Sequence, residues 1–262
     1  MRGARREVAL IELLKTLYPQ VPDRELLSRV LRGQVTVNGE KALKPGARVP
    51  ADAEVSVRAS SPFVSRGGEK LDAALRAWGV DCTGSPWIDA GCSTGGFTDC
   101  LLQHGAPLVY AVDVGVGQLD WRLRGDPRVR TMEGTNVLHV TAGSLDPRPG
   151  RAVGDLSFRS LQGAARHVLD LTTEGRGIFL AKPQFELRSP SDDFHGVVRD
   201  EQQVREIVRD LLERLAAEGV STERAMPSPI SGRKGNREYL LLLNVGESPA
   251  AAGPGALADL GL

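Results

Sequence analysis

The stretch WIDAGCSTGGFTDCL, residues 87–101, decides the fold of this chain. It opens with an apolar run that predicts a buried strand closed by Asp89, and from Thr98 onward its residues predict a helix. Three glycines separate the two elements: Gly91, Gly95 and Gly96. Glycines at such a corner let backbone N–H groups and the positive end of the helix approach a ligand, which suits a cofactor that carries a nucleoside.

A second strand is predicted over residues 108–112, and it ends in Asp113. A carboxylate there can accept hydrogen bonds from both hydroxyls of a ribose, because the first two strands of such a sheet lie side by side. The corner lacks both the G-x-G-x-x-G spacing of a dinucleotide turn and the Gly-Lys-Ser/Thr of a P-loop. The pattern D-x-G-x-x-x-G-G-F with an acidic strand end favours S-adenosylmethionine, and a purely structural strand-to-helix corner stays open as the alternative.

Strands and helices continue to alternate beyond this corner. Further strands are predicted over residues 129–132, 152–156, 177–181 and 238–245, and helices after residue 68 and over residues 160–171 and 201–218. Such alternation forms a mainly parallel sheet with helices on both faces, and the nearly all-apolar last strand fits a buried position in it. We therefore predict an α/β fold with a Rossmann-like sheet over residues 65–246.

The first 58 residues have a different pattern. Helices are predicted over residues 7–17 and from Asp23 to Gly33, and Asn38-Gly39 after a short apolar run indicates a hairpin. The buried face of the second helix is predicted to contain Leu26, Leu27, Val30 and Leu31. Three arginines are left facing outward: Arg24, Arg29 and Arg32.

The motif Arg29-x-x-Arg32-Gly33-x-Val35-x-Val37-Asn38-Gly39 resembles the small RNA-binding fold first described in a ribosomal protein of the small subunit. The resemblance covers residues 1–58 and implies an α+β RNA-binding domain, with a small stabilising α/β cap as the alternative. Residues 59–64 are predicted to be a polar linker, and the Ala/Gly/Pro-rich residues 247–262 a disordered tail.

Composition excludes several classes of protein. The net charge of the 262 residues is zero, but residues 1–48 contain ten arginines and lysines against five acids, as expected for either an RNA-facing patch or a solvated helix face. Three cysteines without a CxxC pair indicate neither a disulfide framework nor a zinc site, so we expect a reduced, cytoplasmic protein without a metal. Neither a membrane-length apolar run nor a signal-peptide core is seen in the sequence.

Four ionisable residues fall at or near strand ends or flank the sheet: Lys70, Asp155, Lys182 and Glu238. The carboxyl ends of parallel strands share one edge, and ligands bind there. The glycine corner and its acidic neighbour are similar to those of the Rossmann-like methyltransferases, specifically their ribose 2′-O branch. That resemblance implies transfer of a methyl group from a sulfonium to a ribose hydroxyl, which requires a base. A lysine can act as that base only in its neutral form, which desolvation and a second ammonium favour, while carboxylates hold the amine in place. Lys70 alone would be interpreted as a solvated lysine near a helix start.

The chain is similar to the Rossmann-like methyltransferases, and these four residues match the Lys-Asp-Lys-Glu tetrad of ribose 2′-O-methyltransferases related to FtsJ. The chain also resembles the TlyA family, also labelled hemolysin A, over residues 7–245. Seven motifs carry this resemblance: SRGGEKL, DAGCSTGGFTDCL, AVDVGVGQLDWRLR, GDLSF, KPQFE, GVVRD and SPISGRKGNREYL. The resemblance implies 2′-O-methylation of cytidine in ribosomal RNA. It implies Lys182 as the base, Lys70 and Asp155 as residues that tune and align it, and Glu238 as an orienting acid.

The resemblance also implies a set of binding residues. The predicted cofactor residues are Asp89, Gly91, Ser93, Thr94, Gly95, Gly96, Phe97, Asp113, Val114, Glu133, Thr135, Asn136 and Asp155, of which Glu133, Thr135 and Asn136 are placed near the adenine. The predicted RNA-binding residues are Arg5, Arg6, Arg24, Arg29, Arg32, Arg66, Arg233, Lys234 and Arg237. The cluster Arg233, Lys234 and Arg237 has a solvated hairpin as its alternative. A target nucleotide swung out of the RNA could stack on Phe158, Phe185 or Phe194, each of which could equally be a core residue.

Three hypotheses follow for function. The first is an S-adenosylmethionine-dependent ribosomal RNA methyltransferase, expected to be monomeric, with ribosomal RNA or ribosomal subunits as its partner. The second is a membrane-active hemolysin, against which the lack of a long apolar or strongly basic amphipathic segment argues. The third is a ribosome assembly factor that binds RNA and cofactor without turnover, against which the presence of Lys70 and Lys182 argues.

Overall fold

A computed structural model describes residues 6–31, 33–57, 61–157, 159–188 and 194–245. Arg5, Arg32, Phe158, the predicted tail and the side chain of Arg233 therefore lie outside the described residues. The chain divides into two compact units, Met1–Ser60 and Ser61–Leu262.

The first unit is a small α+β arrangement. Its elements are β1 (Glu7–Ala9), α1 (Leu10–Leu17), α2 (Asp23–Leu31), β2 (Val35–Val37), β3 (Glu40–Lys41), β4 (Arg48–Pro50) and β5 (Val55–Val57). Strands β2 and β3 form the predicted hairpin, in which Asn38 and Gly39 have φ angles of 52° and 83°. Two positive φ angles in a two-residue loop are what a type I′ turn requires, and Asn-Gly supplies them with little strain.

Two predictions for this unit are wrong. Residues 7–9 do not begin the first helix, because Val8 pairs with Val49 in an antiparallel ladder between β1 and β4. Leu27 and Leu31 are 43% and 60% exposed, so the buried stripe of α2 consists of Leu26 and Val30. A short helix that packs against a small sheet needs only this narrow stripe.

The second unit is built on a seven-stranded sheet. Its elements are α3 (Arg66–Trp78), β6 (Trp87–Ala90), α4 (Gly96–Gln103), β7 (Val109–Asp113), α5 (Trp121–Arg124), β8 (Val129–Glu133), β9 (Arg151–Gly154), α6 (Ala164–Asp170), β10 (Arg176–Ala181), α7 (Pro183–Glu186), α8 (Glu201–Ala217), β11 (Val220–Pro227) and β12 (Tyr239–Val245). The strand order is β11-β12-β10-β9-β6-β7-β8. The pairs from β10 to β8 are parallel, and β12 is antiparallel to both of its neighbours. This confirms the predicted fold class.

Alternate residues of the central strands pack into two separate hydrophobic cores, one on each face of the sheet. Ile178 and Leu240 pack in a cluster with the apolar faces of α3 and α4, whereas Phe179 and Leu241 pack with α6 and α8. Because both faces are covered, these strands are apolar at every position. The ends of the strands are the places where polar side chains remain available.

The prediction missed one strand and misplaced the start of one helix. Strand β11 was not predicted, and its pairing with β12 has an irregularity between Thr222 and Arg224 that breaks the alternation of buried and exposed side chains. Helix α6 begins at Ala164 instead of residue 160, because Gly163 has a φ of 72°. Residues 160–163 thus form a separate segment ahead of the helix.

Candidate active site

Strand register brings three of the four candidate catalytic residues to one edge of the sheet. Asp155 directly follows β9, and its backbone N–H donates to the carbonyl of Ala90 at the end of β6, at 3.0 Å. Lys182 directly follows β10, and Glu238 directly precedes β12. The last pair in the ladder between β10 and β12 joins Ala181 to Tyr239. The sequence prediction of a shared edge therefore has a structural basis in these registers.

The four residues form two ion pairs. The ammonium of Lys182 lies 2.5 Å from Asp155 Oδ1 and donates to the hydroxyl of Ser157 at 2.8 Å. The ammonium of Lys70 donates to the carboxylate of Glu238. Both lysine side chains are about nine-tenths buried, so Lys70 is not the solvated residue that its position alone suggests. A buried ammonium requires such partners, because an unpaired charge in the interior is costly.

A glycine makes room for the carboxylate of Glu238. A Cβ atom at Gly232 would overlap Oε1 of Glu238 and lie 2.6 Å from its Cδ. A hydrogen bond closes the loop before β12: the Gly232 N–H donates to the Asn236 carbonyl at 2.9 Å. Only a residue without a side chain lets this loop pass so close to the Lys70–Glu238 pair.

The glycine corner is as tight as the sequence predicts. Gly91 has a φ of 83°, and a Cβ there would lie 2.8 Å from the backbone oxygen of Asp155. Gly95 has a φ of 93° and directly precedes α4. Gly96 and Phe97 have packing roles: a Cβ at Gly96 would meet the backbone of Gly68 at 2.9 Å, and Phe97 is 2% exposed. The free face of the corner is thus left to Ser93, Thr94 and the glycine backbone.

Asp113 organises the loops beside this corner. Its carboxylate accepts the backbone N–H of Ser93 at 2.8 Å and that of Gly115 at 2.7 Å, and its own carbonyl accepts the N–H of Thr135. Each oxygen of a carboxylate has a second lone pair, so these bonds leave acceptor capacity for ribose hydroxyls. Val114, the next residue, is 70% exposed.

Glu133, at the end of β8, and Asn136, just after it, accept hydrogen bonds from backbone N–H groups of the loops beside the corner. Glu133 accepts the N–H groups of Gln118 and Leu119 at 2.8 and 3.1 Å and pairs with Arg124, and these bonds lower its pKa. The side chain of Asn136 accepts the N–H of Leu138. A backbone corner with glycine φ angles, an acidic strand end with free lone pairs and an exposed Val114 together fit S-adenosylmethionine.

Asp89 is the exception among the predicted cofactor residues. Its carboxylate has no exposed surface and accepts the hydroxyl of Thr98 at 2.6 Å, while its other oxygen is buried without a hydrogen-bond partner. Burial raises the pKa of Asp89 to about 7, and the hydroxyl of Thr98 offsets only part of that effect. The structure therefore places Asp89 inside the corner rather than on its surface.

The predicted RNA-binding residues differ in their exposure and in whether they already pair with an acid. Arg6 and Arg24 are exposed. The prediction that Arg29 faces outward is wrong: its side chain is 15% exposed and pairs with Glu25, which lies one helical turn earlier.

The basic residues around the loop before β12 hold that loop in place. Arg66 donates to the carbonyl of Ser231, and Arg237 pairs with Glu201 at the start of α8. Lys234 donates to the carbonyl of His195 at 3.5 Å. Any phosphate contact by these side chains would compete with these bonds.

Of the predicted stacking residues, two are described. Phe185 lies beside Lys182, with the lysine nitrogen 5.8 Å from the ring centre, and Phe194 is partly buried against the core. Sequence reasoning missed Ser157 and Gly232 as members of the site. Both belong to motifs that the sequence analysis names, GDLSF and SPISGRKGNREYL. Ser157 contacts Lys182, 25 residues away, and Gly232 lies against Glu238, six residues away, and spacing in the sequence does not predict either contact.

The sheet order, the glycine corner and the acidic end of β7 define the class: this is a Rossmann-like S-adenosylmethionine-dependent methyltransferase. The sequence profile of the FtsJ-like methyltransferases matches residues 63–245, and the chain belongs to that family. The resemblance to TlyA is confirmed by a relative of that name in Mycobacterium tuberculosis, a 16S/23S rRNA (cytidine-2′-O)-methyltransferase. The two are 38% identical over 226 residues, which cover 85% of this chain and 84% of the relative.

Two further matches carry another name. Hemolysin A of Brachyspira hyodysenteriae is 36% identical over 213 residues, covering 80% of this chain and 89% of the relative. A Streptococcus thermophilus protein solved as a candidate hemolysin is 32% identical with a TM-score of 0.73, and the match covers 98% of each chain. Across the described residues, no helix combines the length and the apolar character needed to span a membrane.

Proposed function

We propose that this protein transfers a methyl group from S-adenosylmethionine to the 2′-hydroxyl of cytidine in ribosomal RNA. One observation carries the proposal: Asp155 touches the cofactor corner with its backbone and holds Lys182 with its side chain. A Cβ at Gly91 would lie 2.8 Å from the Asp155 carbonyl, and the carboxylate of the same residue lies 2.5 Å from the lysine nitrogen. A candidate base thus adjoins the candidate methyl-donor site.

The chain's own residues supply a base and its alignment. When bound, S-adenosylmethionine supplies an electrophilic methyl group. Lys182 in its neutral form accepts the proton of the ribose hydroxyl, and Asp155 and Ser157 hold its nitrogen from two sides. An amine nitrogen has further directions open for the substrate beyond these two contacts. Lys70 and Glu238 form the second ion pair of the tetrad, with Glu238 directly ahead of β12.

The substrate class rests on the relatives and on the first unit. The TlyA relative of Mycobacterium tuberculosis is named for cytidine in 16S and 23S rRNA, and a TlyA of Campylobacter jejuni, 30% identical over 181 residues, is named for 23S rRNA alone. The first unit contributes exposed basic side chains, among them Arg6 and Arg24. We propose that this unit binds RNA, and an rRNA substrate implies work in the cytoplasm.

The test is to incubate the purified protein with unmodified ribosomal subunits and methyl-labelled cofactor, and then to digest the RNA to nucleosides. The proposal predicts label in 2′-O-methylcytidine. Label in a base-methylated nucleoside, or RNA binding and cofactor binding without any label in RNA, would contradict it. The second of these results would instead support a non-catalytic assembly factor.

The hemolysin hypothesis has a separate test. Leakage of dye from liposomes at low protein concentration would support membrane activity, and the proposal predicts no leakage above that of buffer. Variants at Lys182 serve as the control, since loss of methyl transfer should leave this result unchanged.

A further inference from the structure

A buried carboxylate that belongs to neither ion pair lies on the helix that follows Lys182. Glu186 is the last residue of α7, four residues after Lys182, and is 4% exposed. Burial raises its pKa, because its hydrogen bonds only partly offset the loss of hydration. The cost of burying this carboxylate is offset in part by its hydrogen bonds and by its pairing with Arg214.

Two hydrogen bonds join the carboxylate of Glu186 to the segment that follows Asp155. One carboxylate oxygen accepts the backbone N–H of Leu161 at 2.9 Å, and the other accepts the hydroxyl of Ser160 at 2.5 Å. Ser160 lies three residues after Ser157 and five after Asp155, the two groups that hold the Lys182 nitrogen. Glu186 therefore ties the segment that carries Lys182 to the segment that carries its partners.

Arg214 of α8 completes this connection. Its guanidinium donates to the Ser160 hydroxyl at 3.2 Å, to the Gln162 side chain at 3.0 Å and to both the carbonyl and the carboxylate of Glu186. The side chain of Arg214 is 9% exposed, and a planar guanidinium fixes several acceptors in one geometry. Helix α8, one face of which packs in the core, thus anchors both segments.

We infer that Glu186, with Ser160 and Arg214, is a positioning residue that holds Lys182 at its working distance from Asp155 and Ser157. The inference deepens the proposed function, on which it rests for its kinetic part. Glu186 itself touches neither reacting group. It acts because its carboxylate bonds Ser160 and Leu161 directly, and so joins the end of α7 to the segment that follows Ser157.

The consequence is a change in rate without a matching change in cofactor binding. A displacement of about 1 Å in a catalytic group can cost roughly a hundredfold in rate. The corner that holds the cofactor is formed by β6, α4 and the end of β7, which do not include Glu186 or Arg214. A loss of kcat with an unchanged KM for cofactor is the signature of a disturbed transition state rather than of lost binding.

The experiment compares Glu186→Gln and Ser160→Ala with the matched control Glu223→Gln. Glu223 pairs with Arg176 at 2.6 Å near the opposite end of β10, so the control removes a carboxylate from an arginine pair of the same sheet. We expect Glu186→Gln to lower kcat about 10- to 100-fold, with the KM for S-adenosylmethionine within about twofold of wild type. Ser160→Ala should lower kcat less, because the bond to Leu161 remains. The control should stay near wild type.

A second measurement does not depend on turnover. The rate at which a water-soluble N-hydroxysuccinimide ester acylates Lys182 is measured by mass spectrometry of the peptide that contains it. Release of Lys182 from Asp155 and Ser157 should raise this rate several-fold in Glu186→Gln and leave it unchanged in Glu223→Gln.

The inference is overturned if Glu186→Gln keeps both kcat and the acylation rate of Lys182 at the values of the control. It is also overturned if kcat and cofactor binding fall in parallel with the folded fraction seen in thermal melts. If wild-type protein transfers no methyl group to RNA, the proposed function fails, and the acylation comparison alone decides the positioning role.

Discussion

Asp89 is a carboxylate in a place that suits a neutral group. It is fully buried at the end of β6, one of its oxygens has no hydrogen-bond partner, and its pKa is raised to about 7. The folded protein therefore keeps the proton up to about pH 7, whereas the unfolded chain loses it near the ordinary value of 3.8. The contribution of Asp89 to the free energy of unfolding is therefore greatest below pH 4 and is lost as the pH rises to about 7.

The substitution Asp89→Asn removes this pH dependence. Relative to wild type, we expect the variant to be more stable at pH 8 than at pH 4, with a difference in the free energy of unfolding of up to about 4 kcal/mol. Urea unfolding of both proteins at the two pH values measures the difference. An equal difference at pH 4 and pH 8 would show that Asp89 ionises in the folded protein as it does in the unfolded chain.

Sequence reasoning at this scale could name residues but not their partners. Resemblance to a known family identified the tetrad, because each member lies in a recognisable motif: Lys70, Asp155, Lys182 and Glu238. Their division into two pairs depends on a hydrogen bond between Lys70 and Glu238 that spans 168 residues. The same holds for Glu186, whose residue type is ordinary for a helix end and whose burial only the fold reveals.

Among the elements, the loop before β12 is a conformational support for the site. It is held by Arg66 through Ser231 and by Arg237 through Glu201. The buried side chain of Asn236 donates to the Gly196 carbonyl at 2.9 Å and accepts from Val198. Its close approach to Glu238 requires Gly232.

The substitution Gly232→Ala tests this support. A methyl group there would displace the carboxylate of Glu238 from Lys70, so we expect kcat to fall about 10- to 100-fold, as for a misplaced catalytic group. The matched control is Gly143→Ala, whose added Cβ has no atom within 4 Å. Initial rates of methyl transfer and thermal melts are measured for both. Wild-type rates in Gly232→Ala would contradict the packing argument.

Element prediction succeeded where pattern and packing agree. The apolar runs of β6, β7, β10 and β12 are buried on both faces, and their sequences leave little room for another structure. Strand β11 was missed because it lies at an edge of the sheet, where charged residues such as Glu223 and Arg224 are tolerated. The start of α6 was misplaced because Gly163, with a φ of 72°, interrupts helical backbone directly ahead of Ala164.

At the scale of the whole molecule, the chain consists of two compact units with different compositions. The zero net charge of the chain conceals the excess of basic residues in the first unit. Pattern predicted the hairpin of that unit and its two helices. It could not predict that Leu27 and Leu31 would be exposed, because the width of a buried stripe depends on what packs against it.

The proposed RNA-binding role of the first unit predicts a salt effect. We expect Arg6→Ala combined with Arg24→Ala to weaken binding to ribosomal RNA and to reduce the slope of log affinity against log salt concentration by about 0.7–0.9 per lost phosphate contact. The control is Arg29→Ala, which should change the slope less because Arg29 already pairs with Glu25. Filter binding at several salt concentrations measures the slopes. If all variants have the salt dependence of wild type, the proposal that the first unit binds RNA through these arginines is contradicted.

The most direct test of the account concerns Lys182. Single-turnover methyl transfer to ribosomal RNA is measured for wild type, Lys182→Ala and Lys182→Arg, alongside binding of RNA and of S-adenosylhomocysteine. Arginine keeps the charge beside Asp155 but cannot act as a base. We expect both variants to lose at least about a hundredfold in rate, with both binding affinities retained. A rate near wild type in Lys182→Ala, or in Lys182→Arg, would contradict the assignment of Lys182 as the base that takes the ribose proton.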